Sequence, residues 1–334
     1  MRQIPVLLDV DTGIDDAYAL IMACASEELD IRAVTTAAGN ASLYHTTRNT
    51  CNLLHLLGRG DIPVSQGLPG PLQRPLLRAP EVHGENGLRG YQFQGEHLEA
   101  LSPLTAQQQM ARVLTESEEP VTIVALGPAT NVAAFLQQYP ELKSRIRRIL
   151  FMGASYRCGN PTIVSTFNVL VDPEAFDILL KSGVELHTLP LDTTRHATLT
   201  PEECRQIAGI SGPVAKMVSR TLAGYGDRIG QKGGCLAQKD GERDWNREGL
   251  AHLPDPAVVA YLLRPDYFTR QKYFCQVECK GELTTGFTVI DMEDYYGKSM
   301  EERNLWYVDS IDRAGFARLF LESVRHFTPD LINS

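Results

Sequence analysis

The chain has 334 residues, 43% of them hydrophobic and 22% charged, with a formal net charge of −9 and a pI near 5.4. That length and balance fit a globular chain with a large core. They argue against non-specific binding to nucleic acid polymers or to an anionic membrane surface. No apolar run approaches the roughly 18 residues a membrane helix needs.

The N-terminus runs straight into a strand pattern instead of a secretory leader, which points to a cytoplasmic protein. The seven cysteines are scattered. The nearest pair, Cys275 and Cys279, has no companion pair at zinc spacing, so free thiols in a reducing compartment are expected.

In chain order, residues 4–8 read as a buried strand, 15–26 as a helix, 31–36 as a second strand and 45–57 as a second helix. The segment 67–95 is long and rich in Gly and Pro, a pattern typical of binding loops and lids. Strong β runs at 121–126 and 149–152 flank a helical stretch at 131–138. Asp172-Pro173-Glu174 starts a helix well, with Asp as cap and Pro at its first position, and 184–189 is another strand. Thr200-Pro201-Glu202-Glu203 is a capping box. Asp255-Pro256 repeats the cap-plus-proline signal before a helix at 257–263. Residues 273–279 and 287–290 read as a late antiparallel pair, and 312–326 as the last helix. Strand–helix alternation with short links predicts an α/β fold with a mostly parallel central sheet covered on both faces.

The most informative stretch is Asp9-Val10-Asp11-Thr12-Gly13-Ile14-Asp15-Asp16, four carboxylates within eight residues directly after the first strand. In open α/β sheets ligands bind at the carboxyl ends of strands. Crowded carboxylates repel one another, and a hard divalent cation such as calcium or magnesium is the simplest partner for an all-oxygen set. An EF-hand counted from Asp9 fails, because its glycine and terminal glutamate positions hold Ile14 and Leu20. A phosphatase of the strand-Asp-x-Asp type would leave Asp15 and Asp16 without a role.

This stretch, continued through Ala17, closely resembles the signature of the inosine-uridine-preferring nucleoside hydrolase family. The resemblance extends through Thr36-Ala37-Ala38-Gly39-Asn40, His83-Gly84-Glu85-Asn86-Gly87-Leu88 and Gly127-Pro128-Ala129-Thr130-Asn131. It continues through Met152-Gly153, Gly159-Asn160, Phe167-Asn168 and Asp255-Pro256, in family order and spacing. It implies a single Rossmann-like α/β domain over 1–334, usually a homodimer or homotetramer, that hydrolyses the N-glycosidic bond of a nucleoside for salvage. By the same resemblance Asp11 is the general base and Asn40 positions the water. Asp11, Asp16, Asp255 and the backbone carbonyl of Thr130 hold a calcium ion (Ca2+). Asp15, Asn168 and Asp255 grip the ribose 2′ and 3′ hydroxyls, Asn160 faces the 5′ end, and Met152 lines the sugar site.

Two positions depart from the family pattern. Where the inosine-uridine subgroup carries a histidine just before the late metal aspartate, this chain has Pro254, with His252 two residues earlier. The purine-preferring subgroup has tryptophan there; the nearest in sequence here is Trp245. Where the family usually has a glutamate on the 5′-hydroxyl, this chain has Thr166. Arg157 in the same loop could pair with a phosphate, so a 5′-phosphorylated or modified nucleoside, such as a deazapurine nucleoside, is an alternative substrate. A further alternative is a non-catalytic, calcium-dependent nucleoside binder. Candidates to contact the leaving base are His83, His252, Tyr225, Asp227 and Arg228.

Overall fold

The computed structural model describes residues 3–229 and 250–328, with backbone alone over 223–229. In chain order the strands are β1 Ile4–Val10, β2 Leu29–Thr36, β3 Val64–Gln66, β4 Val121–Ala125, β5 Ile146–Met152, β6 Leu186–Leu189, β7 Thr198–Leu199, β8 Ala251–His252, β9 Phe268–Val277, β10 Thr288–Asp291 and β11 Leu305–Ile311. The helices are α1 Ile14–Cys24, α2 Leu43–Leu56, α3 Pro80–His83, α4 Ala106–Glu116, α5 Thr130–Gln138, α6 Phe167–Val171, α7 Pro173–Lys181, α8 Leu191–Thr194, α9 Pro201–Ala208, α10 Pro213–Ile229, α11 Pro254–Leu263 and α12 Arg313–His326.

Nine strands form one sheet in the order β10-β9-β11-β6-β5-β4-β1-β2-β3. Every neighbouring pair from β11 to β3 is parallel, and β9 runs antiparallel to both β11 and β10. The expected α/β architecture and the late antiparallel pair are both present. β1 shows why the sheet is covered twice. Val6, Leu8 and Val10 pack into one core with α1, α11 and α12, while Leu7, between them, packs into the other with α4, α5 and α7. Successive strand residues face opposite sides, so a strand buried on both faces reads as a continuous apolar run. α1 is buried along all eleven residues, which is why it lacks the usual polar stripe.

The chain steps from β1 to β2 and β3 on one side, then returns to place β4 on the other side of β1. This puts a topological switch point between β1 and β4, where a crevice opens at the carboxyl ends of the strands. The caps expected at Asp172 and Thr200 are formed, with Asp172 accepting from the Ala175 N–H at 3.0 Å and Thr200 closing a capping box with Glu203. The cap expected at Asp255 is not. α11 begins two residues earlier, with Pro254 in its first turn and Leu253 as cap residue. Proline fits the first helical position because its missing N–H is not needed there. The Asp255 carboxylate is thereby released from capping and turned to the switch point.

The segment 67–95 is not structureless. It carries α3 and is fastened at both ends, by Asp172 accepting from the Leu72 N–H at 2.8 Å and by the Asn86 carbonyl accepting from Asn49 Nδ2 at 2.7 Å. Cys24, Cys51, Cys204, Cys275 and Cys279 are free thiols. No helix among the described residues is long and apolar enough to cross a membrane.

Candidate active site

Asp11 follows β1 directly, and its carboxylate is held by the neighbouring strand ends. Asp11 Oδ2 accepts from the Asn40 N–H, just past β2, at 2.7 Å. On the other side the backbone of Gly127, just past β4, approaches so closely that a Cβ there would lie 2.6 Å from Asp11 Oδ1. Only glycine permits this approach. Asp16, in the first turn of α1, ties the turn together. Its Oδ1 accepts from the Asp11 N–H at 3.1 Å, and its Oδ2 from the Gly13 N–H at 3.0 Å and from Asn40 Nδ2 at 2.9 Å.

Asp255 arrives from α11, which packs along α1. Oxygen atoms of Asp15, Asp16 and Asp255 lie within 4.8 Å of one another, all three residues being buried. Asp15 and Asp255 are within hydrogen-bonding reach of each other. Burial pushes the carboxyls of Asp15 and Asp16 up to about 6, the charge of Asp15 adding to the rise at Asp16. Asp11 and Asp255 are also raised well above the carboxylate range, by burial first and by the neighbouring aspartates second. Asp11 Oδ1 and Asp15 Oδ1 are buried and accept no hydrogen bond. Unsatisfied buried carboxylate oxygens are costly. A set of hard oxygen donors with two open positions is the chemistry a divalent cation such as calcium requires.

Asp9 belongs to the sequence cluster but not to this constellation. Its Oδ1 accepts from Thr35 Oγ1 at 2.5 Å and Asn131 Nδ2 at 2.9 Å, and burial raises it to about 7. Both hydrogen bonds fall on Oδ1; its Oδ2 is buried and accepts none.

Thr130 opens α5, and its hydroxyl donates to Asp172 Oδ2 at 2.7 Å, orienting the turn that follows Gly127. Met152 ends β5, its backbone carbonyl accepting from Asn168 Nδ2 at 2.9 Å; the same nitrogen also donates to the Leu126 carbonyl. Asn168 thus bridges the ends of β4 and β5. Thr166 is buried, its Oγ1 accepting from the Ala154 N–H at 3.1 Å. Asn160 is at the surface, its Oδ1 accepting from the Phe167 N–H at 2.9 Å.

His83 is buried against α1, where its Nδ1 accepts from the Ile14 N–H at 3.3 Å and lies 3.9 Å from Asp15 Oδ1. Burial pushes its ring down to about 4, so it is neutral near pH 7, with its other nitrogen as donor. His252 lies in the small β7–β8 pair, its Nδ1 on the Arg195 carbonyl at 3.0 Å. Arg157 is an exposed residue whose backbone N–H donates to Asp192. Tyr225, Asp227 and Arg228 fall on the last turns of α10, where side chains lie outside the described residues, as does Trp245. Asn131, Asp172 and Asp192 support the site from behind. The sequence marks Asp172 only as a helix cap and Asn131 only as the end of the Gly127–Asn131 motif, and it carries no signal for Asp192.

Residues 6–318 match the inosine-uridine preferring nucleoside hydrolase family. The chain belongs to that family. It is 40% identical over 324 residues to the pyrimidine-specific ribonucleoside hydrolase RihA of Escherichia coli O1:K1, covering 97% of this chain and 99% of that one. Among solved structures it resembles the purine-preferring ribonucleoside hydrolase of Gardnerella vaginalis, with a TM-score of 0.86 and 25% identity over 97% of this chain and 98% of that one. A plant nucleoside hydrolase matches with a TM-score of 0.84 and 25% identity, over 96% and 99% of the two chains. The fold and the ribonucleoside hydrolase activity expected from the motifs therefore stand. The phosphatase and the non-catalytic binder do not.

Proposed function

We infer that this nucleoside hydrolase acts on pyrimidine ribonucleosides with a free 5′-hydroxyl, and that it does so with calcium at the aspartate cluster. The convergence of Asp15, Asp16 and Asp255 within 4.8 Å, with Asp11 Oδ1 buried and partnerless at the end of β1, supports the reading; the group that comes together holds Asp15 where the family resemblance has Asp11. Asp11, Asp16, Asp255 and the Thr130 carbonyl would hold the ion, which when bound supplies acidity to water and orients the sugar diol.

The rest of the chemistry belongs to the chain. Asp11 Oδ2 is occupied by the Asn40 N–H, so Oδ1 is the oxygen that takes a proton from the attacking water. As the water oxygen bonds to C1′, the bond from C1′ to the base nitrogen breaks and its electron pair leaves with the base. Positive charge grows on the ribose ring, and the surrounding carboxylates favour it. Asp15, Asn168 and Asp255 hold the 2′ and 3′ hydroxyls. Thr166 and Asn160 meet the 5′-hydroxyl, and Met152 lies against the sugar. His83, neutral and adjacent to Asp15, is the residue best placed to contact the base. The resemblance to the family further supports a cytoplasmic homodimer or homotetramer engaged in nucleoside salvage.

The pyrimidine preference rests on the 40% identity to the pyrimidine-specific relative. Chromatography of released bases tests it. Uridine and cytidine are expected to react with a kcat/KM about tenfold or more above inosine and adenosine, and uridine 5′-monophosphate to be inert. A contact set worth one or two hydrogen bonds produces discrimination of that order. Faster release from purine nucleosides would overturn the base assignment. A preference for the monophosphate, lost in Thr166→Glu, would overturn the 5′ assignment, since a carboxylate there repels phosphate.

A further inference from the structure

The loop from the end of β5 to the start of α6 joins Met152 to Asn160, Thr166 and Asn168, so its course sets the sugar-facing side of the crevice. It has no regular structure between 153 and 166. It also leaves β5 in an unfavourable conformation, because Ala154 has φ 65°, a left-handed value that strains a residue with a Cβ. Such a conformation persists only when its surroundings hold it.

The hold comes from α8. Asp192 accepts four hydrogen bonds from N–H and O–H groups, and its Oδ1 takes a longer one from the Cys158 thiol at 3.9 Å. Its Oδ2 takes the Tyr156 N–H at 2.7 Å, the Ser155 hydroxyl at 2.9 Å and the Tyr307 hydroxyl at 2.6 Å. Its Oδ1 takes the Arg157 N–H at 3.3 Å. One carboxylate thus fastens four consecutive loop residues, 155–158, to β11, which carries Tyr307. α8 is itself anchored there by Thr193, whose hydroxyl donates to the Val308 carbonyl at 2.6 Å. Two further bonds carry the clamp to the far end of the loop. The Leu191 N–H donates to the Ala154 carbonyl at 3.0 Å, and the Ala154 N–H donates to Thr166 Oγ1 at 3.1 Å. Because that bond occupies the Thr166 oxygen as acceptor, its hydroxyl proton is directed elsewhere.

We propose that Asp192 is a positioning residue for the 5′ end of the sugar. It touches no reacting atom; it holds residues 154–158 in the strained course that aims the Thr166 hydroxyl, and so sets how strongly the enzyme selects for a 5′-hydroxyl. This rests on the reading of Thr166 and Asn160 as 5′ contacts. The chemistry requires a carboxylate. Charge-assisted bonds are shorter and stronger than neutral ones, and an amide has one oxygen where five donors converge on two. Asp192→Asn would turn an NH2 group toward either the Arg157 N–H and the Cys158 thiol or the three donors on the other side.

The test is steady-state kinetics on the ribonucleoside the enzyme turns over fastest and on its 5′-deoxy analogue, with wild type, Asp192→Asn and Tyr307→Phe. The wild type is expected to favour the 5′-hydroxyl by about tenfold or more in kcat/KM, since a site built to bond a hydroxyl rejects the analogue lacking it. In Asp192→Asn that ratio collapses to about two or less, mainly through a higher KM for the hydroxylated substrate. The calcium concentration giving half-maximal activity does not move. Tyr307→Phe, which removes one of these bonds, shifts the ratio in the same direction by less. If both substrates lose activity equally in Asp192→Asn and the ratio holds, the residue is merely structural and the proposal fails while the 5′ reading survives. If Asp192→Asn does not fold, an unmoved ratio in Tyr307→Phe overturns the proposal. A wild type indifferent to the 5′-hydroxyl removes the 5′ reading itself, and the proposal with it.

Discussion

Asp11→Asn is expected to fold normally and to lose roughly 100- to 10,000-fold in kcat, the usual worth of a general base. The fold should survive because the bonds that hold Asp11 in place survive. An asparagine oxygen still accepts from the Asn40 N–H, and the Asp11 N–H still donates to Asp16. What disappears is basicity at the second oxygen, which faces Gly127 at close quarters and has no hydrogen-bond partner. KM should change far less than kcat, because in the proposed reading Asp15, Asn168 and Asp255 hold the sugar hydroxyls. Near-normal turnover in a variant that still binds calcium would mean that another group takes the proton.

Asp255→Asn should have effects of opposite sign with and without calcium. With a chelator present, the variant should melt at a higher temperature than wild type. The wild-type cluster buries Asp11, Asp15, Asp16 and Asp255 together, each disfavoured in its charged form, and removing one charge relieves the repulsion. With calcium the order should reverse. A ligand at a hundred times its Kd stabilises a native protein by roughly 2.7 kcal/mol, and the variant, short of a ligand, should gain little of this. Activity at ordinary calcium should fall by two orders of magnitude or more. Thermal denaturation with and without calcium reads all of it. Equal calcium-induced shifts in the two proteins would place the ion elsewhere.

The parts of the site that could be read from sequence are those packed into short contiguous motifs. Asp11, Asp15 and Asp16 stand together because one strand end and one helix start build that corner. The strands β1 and β4 were equally legible, since burial on both faces leaves an unbroken apolar run. β11 was not. It is half-buried, with Trp306 and Ile311 partly exposed and Asp309 and Ser310 exposed, and the run carries neither a clean alternation nor a flanking turn signal. Asp255 shows the limit of local rules. Aspartate before proline reads as a cap, yet Pro254 takes the first turn of α11 and frees the carboxylate for a partner some 240 positions away. The number of residues between Asp15 and Asp255 carries no information about their meeting; only the packing of α11 on α1 does. Asp192 is the extreme case, because its partners lie 34, 35, 36, 37 and 115 residues distant, and nothing around it in the chain marks it.

The measurement that bears most directly on the account is a calcium titration of chelator-treated protein in which bound ion and uridine hydrolysis are followed in the same samples. No turnover is expected without the ion. Activity should then grow in proportion to bound calcium and reach its maximum at one ion per chain, with Asp16→Asn binding weakly and staying inactive. Full turnover by protein stripped of metal, or activity that ignores the loss of Asp16, would contradict the claim that the aspartate cluster is a cation site serving N-glycosidic hydrolysis.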